Sequence, residues 1–256
     1  MEGKIAIVTG AAGGIGEAVV RNLGERGVVV AAVDRDAGRL EETVRQLAAE
    51  GLPVEAFPVD VTCAASVEAL VGAVEHRLGP VEYLVNAAGV LRLGEARKLT
   101  DEDWADTFAV NTTGVFHMSR AVVNGMVERS RGAIVTVTSN AAATARADMA
   151  AYAASKAAAT MFTRCLGLEV ARYGIRCNVV APGSTDTPML GSMWSDESDR
   201  RRTIEGNPDA YRVGIPLGRI ASPATVADSV AFLLSDQASH ITLHALTVDG
   251  GASLGV

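Results

Sequence analysis

Seven short runs rich in β-branched and small apolar residues recur along this chain, at residues 4–9, 28–33, 54–59, 83–86, 133–138, 176–181 and 245–248. Each is separated from the next by a stretch long enough for a helix. Strands that alternate with helices pair in parallel, and right-handed crossovers then put helices on both faces of the sheet. The pattern therefore predicts an α/β fold, a doubly wound, seven-stranded parallel sheet covered by helices on both sides. No repeat, linker or low-complexity tract interrupts it, so residues 1–256 are expected to form one domain. Hydrophobic residues make up 48% of the chain and aromatics only 4%, which suits helices packed closely on buried parallel strands.

The first strand leads directly into Gly10, and Gly14, Ile15 and Gly16 open the helix that follows. A glycine pattern alone marks only a strand-to-helix turn. In this setting it also lets backbone approach a pyrophosphate, to which the helix presents free N–H groups and the positive end of its dipole. Asp34 follows the second apolar run, where a carboxylate can accept hydrogen bonds from adenosine ribose hydroxyls and repel a 2′-phosphate. That order favours NAD over NADP as the cofactor. Arg35 beside it suits a phosphate instead, and Asp34 is also a good helix cap. Asp60 and Val61 close the third strand, where Asp60 is expected to contact adenine. Asn86, Ala87 and Gly89 (Asn-Ala-Ala-Gly) let backbone pass close to the cofactor; either segment also reads as an ordinary turn.

Residues 151–159 (AYAASKAAA) are strong helix formers without Gly or Pro. Tyr152 and Lys156 then share one helix face, and a nearby ammonium would lower the phenol's pKa from its ordinary ~10 toward the range useful for a base. Tyr-x-x-x-Lys is also a common helix pairing, and acquires chemical meaning here from the nucleotide cradle upstream. Ser139 ends the fifth run, where its hydroxyl can reach from the sheet edge to a substrate oxygen.

Composition removes several function classes. A formal charge of −7 opposes broad attraction to nucleic acid, and the one compact basic run, Arg200–Arg202, reads as solvated surface. Cys63, Cys165 and Cys177 have neither disulfide-framework nor zinc-ligand spacing, which fits a reducing, cytoplasmic setting. His240 and His244 lie in an extended-looking stretch, so no metal site is expected. No apolar run approaches membrane-spanning length, and no charged leader precedes the first strand. Residues 187–211 are longer and more polar than an ordinary connection and form a candidate substrate lid. Within it Met189, Leu190, Met193 and Trp194 are spaced to share a helical face, either over a small ring or against the body or a subunit interface.

Together Gly10-x-x-x-Gly14-x-Gly16, Asn86-Ala87-Ala88-Gly89, Asn111, Ser139, Tyr152-x-x-x-Lys156 and Pro182-Gly183 resemble the short-chain dehydrogenase/reductase family over nearly the whole chain. The resemblance implies a single-domain Rossmann fold, a homotetramer and a fixed division of labour. Tyr152 would be the acid/base, Lys156 would lower its pKa and hold the nicotinamide ribose, and Ser139 would bind the substrate oxygen. Asn111 would support a water relay, although alone it reads equally as a helix-kink or capping residue. Pro182, Gly183, Thr185 and Thr187 fall where members of the family contact the nicotinamide.

Gly183–Thr187 (GSTDT), Gly214–Ile220 (GIPLGRI) and the C-terminal stretch through Val248-Asp249-Gly250-Gly251 are more narrowly similar to 2,3-dihydro-2,3-dihydroxybenzoate dehydrogenases. That group oxidises a cyclohexadiene diol carboxylate with NAD to a catechol carboxylate used in siderophore assembly. Arg146 matches an arginine of the group and would pair with a small cyclic carboxylate, its other reading being a surface or subunit contact; Arg92 is a second candidate. Asn140, Ala143 and Ala145 depart from the group's Asp, His and Pro. The departures leave open a dihydro-3-hydroxyanthranilate substrate, with an amino group in place of a hydroxyl. A 3-oxoacyl thioester reductase would favour NADP, against Asp34. An inactive nucleotide-binding scaffold would need the glycines but not the Asn111, Ser139, Tyr152 and Lys156 set.

Overall fold

The apolar runs pair as their alternation requires. A computed structural model of the chain describes residues 1–194 and 196–255. Its first half runs β1 (Ile5–Thr9), α1 (Gly14–Glu25), β2 (Val29–Asp34), α2 (Ala37–Ala49), β3 (Val54–Pro58), α3 (Ala64–Arg77) and β4 (Val81–Asn86). The chain continues through α4 (Asp101–Phe108), α5 (Val115–Arg129), β5 (Gly132–Val137), α6 (Ala150–Val170) and β6 (Ile175–Pro182). It ends with the short α7 (Pro188–Gly191), then α8 (Glu197–Glu205), α9 (Pro223–Leu234) and β7 (Ala245–Val248).

All pairings are parallel, in the order β3-β2-β1-β4-β5-β6-β7. The expected strands fall within two residues of their sequence bounds. The largest difference is at β4, which begins at Val81 with a register shift against Ile5 and Ala6. The shift puts Glu82 in the strand, and its carboxylate pairs with Lys4 at 2.6 Å and with Arg131. A charged residue at a sheet irregularity broke the apolar pattern that marks the other strands.

Period-2 alternation divides the core in two. Ala6 and Val8 of β1 turn toward α1, α2 and α9, where Val19, Leu23, Leu40, Leu47 and Val230 are fully or almost fully buried. Ile5 and Ile7 turn toward α3 and α5, packing with Val67, Val74, Met118 and Met126. Burying each such side chain contributes about 1.5–3 kcal/mol. Among the described residues no helix is long and apolar enough to cross a membrane.

The strand order reverses direction at β1, whose neighbours are β2 on one side and β4 on the other. Connections diverge there and leave a crevice beyond the carboxyl ends of the strands, the place where open α/β sheets bind ligands. Gly10 turns the chain into it with φ +69°, and a Cβ there would stand 2.8 Å from the Ala88 amide nitrogen. At Gly16 a Cβ would stand 1.9 Å from the Gly10 carbonyl oxygen, so α1 sits against the turn at a distance only glycine allows. Gly16→Ala is expected to lower unfolding free energy by about 1–3 kcal/mol, the usual cost of overpacking. It should also weaken dinucleotide binding. Urea melts with and without cofactor would show both effects.

Candidate active site

Helix α1 has Gly13 at its N-cap with no side-chain cap, so its first amides lie at the crevice without a side-chain acceptor. A groove of about 280 Å³ begins there. Gly10, Gly14, Ile15 and Gly16 form one wall; Asp34, Asp60, Val61, Ala87 and Gly89 also line it. Asp34, the last residue of β2, accepts from the amides of Ala12 and Asp36, both at 3.1 Å. Each carboxylate oxygen keeps a lone pair for a further donor. Asp60 caps its own turn through the Thr62 amide at 2.9 Å. The groove has the glycine cradle, free helix amides and terminal carboxylate that suit a dinucleotide.

Asn86 ends β4. Its side chain turns into the core and donates to the Ser119 hydroxyl at 3.1 Å, and the groove wall begins only at Ala87. The register of β4 decides this, since Asn86 lies opposite Thr136 of β5 inside the sheet.

α6 carries Tyr152 and Lys156 on one buried face, with relative exposures of 8% and 5%. Ser139 lies just beyond the end of β5 and accepts from the Ala141 amide at 3.1 Å. Burial raises the Tyr152 phenol above its ordinary pKa, and the Ser139 hydroxyl works in the opposite direction. Lys156 shares that buried face. Its ammonium donates to the Val137 carbonyl at 3.1 Å and lies 5.8 Å from the phenol ring centre. Burial also pushes Lys156 down to about 8.

Asn111 sits in a π-helical stretch, Ala109–Gly114, between α4 and α5, fully buried. Its Oδ1 accepts from the Val90 amide at 2.8 Å, while Nδ2 donates to the Val90 carbonyl at 2.9 Å and the Ser155 hydroxyl at 3.0 Å. A π-bulge re-aims a side chain within a continuous helix. A Cβ on Gly89 would stand 3.2 Å from Lys156 Nζ and 3.3 Å from Asn111 Oδ1, so both groups converge on that bare backbone.

A second cavity of about 120 Å³ is lined by Ser139, Tyr152, Arg146, Met189 and Met193. Pro182, Gly183, Thr185 and Thr187 also face it, the two threonine hydroxyls donating within their own loop. It meets the groove at Ile15, Thr187 and Met189, which line both. Thr138 also lines it, with its hydroxyl oxygen buried and without a hydrogen-bond partner in the protein.

Arg146 belongs to this cavity rather than to open surface. Arg92 does not: it is 44% exposed, pairs with Asp103 at 3.7 Å, and leaves Leu91 to line the wall. In the irregular strand-end segment after β4, neighbouring side chains point apart, which spacing from a motif does not reveal. The sequence also missed Met149 and Arg212 in the wall. Arg212 reaches the cavity from the turn between the expected lid and the Gly214–Ile220 stretch, and neither pattern marked it as a site residue. In the expected lid Leu190 is buried, but Trp194 turns aside and donates to Thr203 at 3.2 Å; Ser195 lies outside the described residues. Among the described residues no cluster of three or more His, Cys, Asp or Glu is placed to hold a metal.

Residues 4–198 match the family model described as short chain dehydrogenase. The chain is 54% identical over its full length, and 98% of the relative's, to a 2,3-dihydro-2,3-dihydroxybenzoate dehydrogenase of Bacillus subtilis. It is 42% identical over 99% of the chain, and 98% of the relative, to an Escherichia coli protein of the same name. The crystal structure of gox2181 superposes with a TM-score of 0.92 at 35% identity, over 99% of this chain and 97% of that one.

The buried Lys156 sets a measurable pH dependence. Its pKa is depressed from 10.5 to about 8, so between those values the unfolded chain binds more protons and stability rises with pH. Lys156→Met removes that slope. The stability of the variant relative to the parent should therefore fall by about 2 kcal/mol between pH ~7 and ~10. Denaturant melts at both values check this; a constant difference would show that Lys156 is not desolvated.

Proposed function

The chain belongs to the short-chain dehydrogenase family and is an oxidoreductase acting on a CH–OH group with a nicotinamide cofactor; from that premise we propose that it oxidises 2,3-dihydro-2,3-dihydroxybenzoate to 2,3-dihydroxybenzoate with NAD. Arg146 carries the reading. Its half-buried guanidinium faces the cavity that holds Ser139 and Tyr152, and among the described residues it forms no salt bridge. A desolvated guanidinium with no bound carboxylate suits a substrate that brings one. The names of the Bacillus subtilis and Escherichia coli relatives agree with a ring carboxylate.

In this mechanism Ser139 holds the substrate hydroxyl and the Tyr152 phenolate takes its proton. When bound, the oxidised cofactor supplies the hydride acceptor and a positive charge that favours the phenolate. Lys156 holds the cofactor's ribose and stands at the head of a proton path that Asn111 supports. The carbinol carbon becomes a ketone as its hydride leaves. Loss of the neighbouring ring proton then gives the aromatic catechol, which makes the oxidation strongly downhill and balances as substrate and NAD to product, NADH and a proton. Such a product suits siderophore or related secondary-metabolite assembly. Exposed Phe116, Met161 and Leu168 on α5 and α6 support a homo-oligomer, for which the tetramer is the proposal.

NADH absorbance with the cyclic diol carboxylate and with its amino-alcohol counterpart, assayed side by side, tests the substrate. The diol is expected to be preferred, and Tyr152→Phe should lower kcat by about 10²–10⁴-fold with NAD affinity retained. Preference for the amino-alcohol would transfer the assignment to a dihydro-3-hydroxyanthranilate. NAD dependence rests on Asp34: Asp34→Ala should weaken NAD and raise the NADP/NAD ratio of kcat/KM at least about tenfold, the loss of a charged hydrogen-bond acceptor. An unchanged ratio would remove Asp34 from ribose recognition.

A further inference from the structure

Between Arg146 and Arg212 lies an alcove of about 40 Å³, lined also by Asn140 and Ser184. The same four residues line the cavity that contains Tyr152 and Ser139, so the alcove opens from the substrate site. Each guanidinium carries five donors, yet each shows one contact. Arg146 Nη2 reaches the Ala252 carbonyl at 3.3 Å, and Arg212 Nη2 reaches the thioether of Met149 at 3.7 Å. Neither has a salt-bridge partner among the described residues. Asp249 acts on Arg146 through space, but its carboxylate is occupied by Asn140, Gly251 and Ser253.

Arg212 is held there by backbone. Asn207 and Arg212 exchange two hydrogen bonds of 2.9 Å across a tight turn, and a Cβ on Gly206 would stand 2.8 Å from the Arg212 carbonyl oxygen. This turn follows α8 and closes the expected lid. Half-burial and the Arg146 charge both lower the Arg212 pKa, as expected of two cations that share a partly dry space. Leaving two guanidiniums desolvated and unpaired is costly, and an anion between them would remove that cost.

We propose that this alcove is the anion subsite of the substrate pocket, and that Arg212 is a specificity-determining residue that clamps the substrate carboxylate opposite Arg146. The proposal deepens the dihydrodiol carboxylate reading and rests on it for the identity of the substrate. The alcove is polar and small, so it takes a carboxylate while the ring remains beside Tyr152 and Ser139. Because Arg212 belongs to the turn after α8 and Arg146 to the loop after β5, one bound carboxylate ties the lid segment to the body.

The test compares the diol carboxylate with the same cyclohexadiene diol lacking the carboxylate. Arg212→Met should raise KM for the acid about 10–100-fold, the loss of a hydrogen bond to a charged group, with kcat within about threefold. It should leave KM for the neutral diol unchanged, and Arg212→Lys should recover part of the loss. An equal effect on both substrates would reduce Arg212 to a structural role, and no effect on the acid would also overturn the proposal. If the parent protein oxidises neither diol, the functional reading has failed, and the subsite is judged by calorimetric titration of benzoate in the presence of NADH. Weaker benzoate binding by at least about tenfold in Arg212→Met would uphold the anion clamp, whereas equal affinity would refute it.

Discussion

Thr9 joins the two halves of the sheet at the point where function begins. Its hydroxyl accepts hydrogen bonds from the amides of Ala87 and Ala88, both at 3.1 Å, and is almost completely buried. Thus the last residue of β1 holds the exit of β4 against the glycine turn. Gly10 then approaches the Ala88 backbone more closely than any side chain permits. The groove lies against that contact and meets the cavity lined by α7 at Ile15, Thr187 and Met189. Loosening it would separate the glycine-lined groove from the helix that carries Tyr152 and Lys156.

The site is built at the expense of local stability. Tyr152 and Lys156 are buried on α6, where desolvation opposes the charged form of each. Lys156 is answered by a neutral carbonyl, Val137, rather than by a carboxylate. A carboxylate there would neutralise the ammonium. The unpaired Thr138 hydroxyl and the two guanidiniums across the cavity show the same economy. Groups are held in place by backbone and left with few partners inside the protein.

Much of the fold was legible because parallel strands buried on both faces leave long apolar runs, and glycine turns leave gaps between them. β4 was read short because Glu82 sits at a sheet irregularity. The cofactor groove was legible for a related reason: its residues follow strands in order, and strand ends in a parallel sheet share one edge. The inward turn of the Asn86 side chain follows from its position in the ladder, which the motif does not record. Arg92 and Arg146 looked alike in the sequence. Only the course of two irregular loops put Arg146 into the cavity and Arg92 beside Asp103 on the surface.

By itself the sequence determined the doubly wound sheet, the dinucleotide cradle and the company of Ser139, Tyr152 and Lys156, because periodicity and motif order are local properties of a chain. Tertiary structure alone decided which charges meet. It set the Lys156 ammonium on the Val137 carbonyl, 5.8 Å from the phenol ring centre, and it brought Arg212 and Arg146 to line one space of about 40 Å³. Those pairings join segments separated in sequence, and electrostatic interaction depends on separation and burial, neither of which a linear pattern records.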